Sequence, residues 1–448
     1  MPRTHRFILA QTLVLAGLAL APLRAEEEAP LSEPQVVLTD AVDLGESLLV
    51  APATASEQLD AAERLAREYG PEAFHDAIPS GRWRVSPHLE ASVTYDDNIF
   101  IQPDHEVEDF IFALSPGLAI GIWDSEKRRT DGFLDRQDAA TVLDKGRGTY
   151  FVADYTAILL GFEKTDSQNA FDQDARLNAR VQAEKWSLRG DFRYESKSEA
   201  NVDIGTRIRR RTLSAEVVAI YRVSQKTTID ASASLRANDP EDFVRSTGWK
   251  VETEATHELT PLVRVGLGAA VGGVAIDGGA DDVFERMLAR ATYQYSEKLG
   301  VEARGGVEFR QSDGRAGDRV NPIFSVLVSY DPAAGTRVGL EAFRTVETSE
   351  FRPEESYERT GVTASFHRAL RAGFHVQFDA GYAHSEYSTS SNNAGRRDHY
   401  FFARPRVLWN FSEWGNAVLA YEYRSNDSNR AEFNFDNNQI TFQVNILY

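Results

Sequence analysis

Charged side chains recur at every second position through much of this 448-residue chain. Arg176 and Arg180, then Arg189, Asp191 and Arg193, then Glu252, Arg304 and Glu308 alternate with apolar residues. Arg404 and Arg406 follow Tyr400 and Phe402 at the same spacing. Charges of both signs on one strand face can brace a wall through ion pairs or line a path for a solute. A dry interior would not tolerate them, because each unpaired buried charge is strongly destabilising. The pattern implies a wet, mixed-charge lumen lined by these residues, and the mixture of signs predicts little ion selectivity. Tyr400 and Phe402 are candidate stacking platforms for a sugar ring, with plain packing as the simpler role.

Catalytic and ligand-binding patterns are sparse. None of the nine histidines is followed two positions later by serine, the pairing a barrel phospholipase would need. His384-Ser385 has the wrong spacing, and His384, His399 and Asp379 are the residues a protease-like site could recruit. The histidines are isolated along the chain, so no metal centre and no cofactor site is expected. Asp96-Asp97-Asn98 could hold a cation or make a turn, and turns are the commoner use of such residues.

The elements carrying these residues read as strands. In the last stretch, Ile440, Phe442, Val444, Ile446 and Tyr448 occupy alternate positions and Gln439, Thr441, Gln443 and Asn445 fill the gaps. Alternation of this kind puts an apolar face against a polar one. An aromatic residue ending such a strand resembles the closing strand of a bacterial outer-membrane barrel, which the barrel-assembly machinery would engage. The same pattern recurs from residue 82 onward in about 18 segments, between 16 and 20 allowing for ambiguous ones. A segment near 150–162 is apolar on both faces, which leaves its orientation open. Short connections such as Ser224-Gln225-Lys226 and Leu259-Thr260-Pro261 alternate with longer polar ones near 97–108, 197–206, 347–356 and 384–398. Aromatics gather at segment ends, among them Tyr95, Trp123, Trp186, Tyr221, Trp249, Tyr295, Trp409, Trp414 and Tyr423. The fold class is all-β: a transmembrane antiparallel barrel with short periplasmic turns, longer extracellular loops and an aromatic girdle at each lipid interface. One connection, roughly 124–148, is unusually long.

Composition narrows the field. Cysteine is absent, which excludes disulfides, thiolate metal sites and cysteine nucleophiles. A net charge of −19 argues against nucleic acid as a partner. Mean hydropathy is −0.39, and beyond the first 25 residues no apolar run approaches the roughly 20 residues of a membrane-spanning helix. Residues 1–25, with a basic start at Arg3 and Arg6, an apolar core and Ala25 before three glutamates, read as a cleaved signal peptide. Residues 26–80 carry 13 acids against two arginines and five prolines, and read as an acidic, partly disordered periplasmic arm. One short helix is expected over 56–69, and the barrel occupies 81–448. Gln35–Asp40 faintly resembles the energy-coupling box of TonB-dependent receptors. Too little chain separates it from the first strand to hold their plug.

Tyr95-Asp96-Asp97-Asn98-Ile99-Phe100 and Ser115-Pro116-Gly117 resemble two motifs that open the Putative beta-barrel porin 2 family. The resemblance implies an outer-membrane barrel encoded near exopolysaccharide genes, with polysaccharide and periplasmic export components as partners besides lipid. A channel, with exopolysaccharide export as its specific form, is the leading reading of function. A structural or interaction barrel with a closed lumen is the alternative, and an outer-membrane hydrolase a minor one.

Overall fold

Strands that are apolar on one face and polar on the other cannot be content in either solvent alone. Closing the sheet on itself gives each face its own. A computed structural model describes residues 83–122, 150–183, 185–279, 281–312, 318–352, 356–370, 373–388, 395–412 and 414–447. The expected signal peptide, the acidic arm with its 56–69 helix, Trp123, the 124–148 connection and Tyr448 lie outside the described residues.

The described residues form 18 strands: β1 (Arg84–Asp96), β2 (Asp109–Ile122), β3 (Tyr150–Phe162), β4 (Ala170–Gln182), β5 (Trp186–Asn201), β6 (Thr206–Arg222), β7 (Thr227–Pro240), β8 (Ser246–Thr260) and β9 (Val263–Ile276). They continue as β10 (Asp282–Ser296), β11 (Leu299–Ser312), β12 (Arg319–Ala333), β13 (Thr336–Thr348), β14 (Ser356–Ala369), β15 (Phe374–Ser388), β16 (Arg397–Ser412), β17 (Gly415–Ser428) and β18 (Phe435–Leu447). Each pairs with its chain neighbours, and β1 also pairs antiparallel with β18 from His88↔Leu447 to Asp96↔Gln439. The sheet is therefore a closed antiparallel barrel.

Its outer face is apolar. Leu114, Leu159, Phe192, Leu235, Leu267, Met287, Leu340, Phe378, Leu419, Ile440 and Phe442 are exposed there, as is Ile446, while Val444 is half-buried on the same face. Aromatic rings ladder along the turn end, where Phe374 stacks on Trp409 at 5.5 Å and Trp409, Phe411 and Trp414 continue the row. Tyr95 and Phe110 pack at the loop end at 5.2 Å. No helix among the described residues is long and apolar enough to cross a membrane. Strands of 13 to 17 residues do so comfortably, since roughly 9–11 suffice.

Two details differ from the sequence expectation. The strands reach further than the polar character of their ends suggests: of the loop expected near 197–206, only residues 202–205 lie outside β5 and β6. Backbone pairing continues past the lipid because polar side chains there face water at no cost. The long connection between β2 and β3 begins and ends on the short-turn side, at the same end as Arg84 and Leu447, so the rule of short turns there has one exception. The 150–162 segment acquires an orientation: Tyr155 and Leu159 face outward, Ile158 is buried on the inner face, and Leu160 and Phe162 pack there against apolar residues of the first loop.

The seam between first and last strand is fastened by Asp96-Asp97-Asn98. Asp96 accepts hydrogen bonds from the Asn437 amide (2.5 Å), the Gln439 amide (2.7 Å) and the Asn98 backbone N–H (2.9 Å). Asp97 accepts two from Asn438, and Asn98 donates to the backbone oxygens of Gln102 and Asp436. Asp96→Ala leaves the buried Gln439 amide without its acceptor and Asn437 with only its longer contacts to Asp97 and Asn98, and is expected to cost about 1–3 kcal/mol. The expected readout is a lower temperature for loss of the fast-migrating form on unboiled gels, with no change for Ala at exposed Glu106.

Candidate functional site

Alternation sends most of the strands' charged residues into the barrel, where many pair across strands, while a few such as Arg211, Glu285 and Arg397 stay exposed on the outer parity. Arg176 and Arg193 both bond Asp174, and Arg193 reaches Glu195 at 2.7 Å. Arg189 lies 3.0 Å from Asp191 and 3.6 Å from Glu216, while Arg180 donates to Ser187 at 3.1 Å. Further round, Arg304 contacts Glu252 and, at 3.2 Å, Glu254. Glu308 receives Arg286 and Arg310, each at 2.8 Å. On β16, Arg404 pairs with Glu422 (2.7 Å) and Arg406 with Asp379 (2.9 Å).

The network between β8 and β11 depends on small residues. The inner face of β9 presents Gly266, Gly268, Ala270 and Gly272, opposite Glu254 and Glu252 on one side and Arg290 and Arg286 on the other. A Cβ on Gly266 would lie 3.0 Å from a Glu254 carboxylate oxygen, and one on Gly272 would lie 2.3 Å from the Phe284 ring. Absent side chains leave a floor over which Glu254 meets Arg290 at 3.4 Å, two strands away.

Tyr400 and Phe402 also face inward, but they are packed together with Ile101, Ala200 and Phe435. The loop after β1 folds into the lumen to meet them: Ile99 and Ile101 are fully buried. Ile101 holds a left-handed backbone (φ 47°), an unusual conformation for a β-branched residue, which its burial in this cluster stabilises. These rings are occupied by packing.

The mouth is spanned at this level. β5 and β14 stand nine strands apart on an eighteen-strand ring, on opposite sides. Even so, Asp203 at the β5–β6 turn accepts hydrogen bonds from the Ser349 hydroxyl (2.9 Å) and the Glu350 and Phe351 backbone N–H groups (2.6 and 3.2 Å) in the β13–β14 loop. Arg396, before β16, donates to the backbone oxygens of Asp203 (2.6 Å) and Val202 (3.0 Å). Its guanidinium lies 3.5 Å from the centre of the Phe433 ring, and Phe433 packs on Phe351 at 5.4 Å. Asn201 adds a bond to Glu350 at 2.7 Å. Burial pushes the Asp203 carboxyl above its usual range, the Arg396 charge acting the other way.

The residues a hydrolase could recruit are not assembled. His384 and His399 are partners on adjacent strands, with ring centres 4.6 Å apart and tilted, and face outward, with Tyr382 on His399 at 2.6 Å. Asp379 points inward to Arg406. Opposite faces of one sheet cannot share a substrate. No group of three or more potential ligands among the described residues is arranged to hold a metal ion, and the Asp96-Asp97-Asn98 groups are bonded within the seam. Sequence reasoning missed Asp203, Glu350, Arg396 and Ile101, because nothing along the chain says that loops from opposite walls meet.

The last 158 residues decide the family comparison. Residues 291–448 match the model of the Putative beta-barrel porin 2 family. The match covers the end of β10 and all of β11–β18, whereas Tyr95–Phe100 and Ser115–Gly117 lie outside it. No curated protein matches the sequence. Among solved structures, Pseudomonas aeruginosa OpdO is similar at 12% identity over 84% of this chain and 98% of that one, with a TM-score of 0.45. OpdQ from the same organism matches at 10% identity over 82% of this chain and 99% of its own, TM-score 0.44. The likeness lies in the fold, which the strand pairing establishes by itself. With its apolar outside and polar inside, the chain is a porin-like barrel of outer-membrane type.

A carboxyl whose pKa is raised in the bridge binds its proton more tightly there than in water, so acid favours the bridged arrangement and rising pH loosens it. Arg396, Glu350, Tyr387, Glu347 and Tyr357 are charged or titratable groups beside it. Current through planar bilayers is expected to be larger at pH 8 than at pH 5, and Asp203→Asn to flatten that difference. A steeper dependence in the variant would contradict the assignment.

Proposed function

We propose that this chain is an outer-membrane channel for hydroxyl-rich polymer, with exopolysaccharide as its cargo class. The observation that carries the reading is the inner wall. Many of its charges are balanced by cross-strand pairs, and the inner face of β18, continued by Asn416 of β17 and Thr94 of β1, is an uncharged amide and hydroxyl stripe. There Thr94 meets Thr441 at 2.8 Å, Gln443 bonds Asn445 at 2.8 Å, and Asn445 bonds Asn416 at 2.9 Å. Groups that both donate and accept suit sugar hydroxyls, and the lack of net charge lets a polymer slide without being held.

A closed interaction barrel is the second reading, and the bridge over the mouth favours it. Purified protein in planar bilayers separates the two. The channel reading expects discrete conductance steps with weak preference between cations and anions, and larger steps in Asp203→Ala, which removes the bridging acceptor. Silence in the wild type, in Asp203→Ala and in a form lacking residues 26–80 would leave the closed barrel as the answer.

A further inference from the structure

Three arginines on the inner wall have more hydrogen-bonding capacity than the protein uses. Arg404 spends its Nε on Glu422, Arg406 one terminal nitrogen on Asp379, and Arg424 its Nε on Asn437 at 2.6 Å. The Arg404 Nη2, the Arg406 Nε and Nη1, and the Arg424 Nη1 then meet no acceptor among the described residues, although all three side chains are more than nine-tenths buried. Arg404 and Arg406 are two positions apart on β16, about 7 Å along the strand. Arg424 faces Phe402 on the adjoining strand, one pleat from Arg404. The Phe402 ring lies under the Arg404 guanidinium at 4.3 Å, fixing its plane and leaving its edge as the hydrogen-bonding direction.

Buried guanidinium N–H groups without acceptors are costly, and the acceptor that fits a guanidinium edge is a planar carboxylate bound by two parallel hydrogen bonds. Neighbouring acceptors do not use up these donors: Asp379 also takes the Gln377 amide at 2.9 Å, and the Asn437 amide group is turned to Asp96. On the turn side of the cluster the wall continues as the Thr441, Gln443 and Asn445 stripe, which carries no charge. Charge at one point and neutral hydroxyl-matching groups beyond it describe a sugar acid.

We propose that Arg404, Arg406 and Arg424 form a lumen subsite for the carboxylate of an acidic saccharide. The subsite rests on the channel reading only for its role in passage, because binding can be measured without conductance. The full-length folded barrel in detergent is titrated calorimetrically with trigalacturonate, with neutral maltotriose and with inorganic phosphate. Trigalacturonate is expected to bind at least tenfold more tightly than maltotriose. Arg424→Gln is expected to weaken trigalacturonate by about tenfold and leave maltotriose unchanged, as is Arg406→Gln.

Both variants are chosen to fold. Arg424 is partnered by an amide rather than an acid, and Asp379 keeps Gln377 when Arg406 is replaced; the heat-dependent gel shift confirms it. Equal binding of the acidic and neutral trisaccharides, or variants that bind trigalacturonate as the parent does, would overturn the subsite. Phosphate binding as tightly as trigalacturonate would overturn the saccharide assignment and leave a simple anion site. Binding without conductance would sink the channel and keep the subsite; conductance without binding would do the reverse.

Discussion

Everything in this molecule depends on the pairing of its first strand with its last. In lipid no water reaches an unpaired backbone N–H or carbonyl, so an open sheet edge is not tolerated and the ring must close. β1 meets β18 along nine register positions, and the loop-end terminus of that seam is held by Asp96, Asp97 and Asn98 against Asn437, Asn438 and Gln439. Side-chain bonds matter most at this one place because the two strands of every other pair are consecutive in the chain. β1 and β18 have no covalent link nearer than the whole chain between them.

Closure divides the residues into two populations with different physics. Outside, exposed Leu, Val, Phe and Met need only lipid. Inside, arginines and acids are held in networks that extend over several strands, as where Glu252 and Glu254 meet Arg290 and Arg304 across the glycines of β9. The cost of burying these charges is met by partners of opposite sign in the networks, and by amides or hydroxyls for Arg424, Arg180 and Asp96. Three arginines on β16 and β17 keep donors beyond what their partners use, and they mark the part of the wall with chemistry left to offer.

The mouth follows a different logic. Ile101 and Ile99 turn the first loop inward, and Asp203 ties one wall to the loops of the opposite wall. A bridge made of short hydrogen bonds to a turn carboxylate, with a cation stacked on Phe433, is strong while intact and has few independent parts. The loop end is thus bridged from wall to wall, and a neutral polar stripe lies on the wall below it.

Period-two alternation was enough to read the fold class, the strand number, the inward charges and the outward belt from the sequence, because a strand's two faces are set by residue parity alone. Parity also places Arg404, Arg406, Tyr400 and Phe402 inside. It failed for 150–162, where both faces are apolar and the inward-folded first loop gives Leu160 and Phe162 the apolar partners that mark their face as the inner one. It was equally silent on Asp203 and Arg396: their meeting is a contact across the ring, and nothing local to residues 203 or 396 encodes it. The Asp-Asp-Asn run was legible as a turn, but its work on the seam needed Asn437 to arrive from the far end of the chain. What the sequence determined by itself was periodic and local. Tertiary structure decided which charges pair, which rings pack and which loops meet, because those depend on distances that exist only once the barrel has closed.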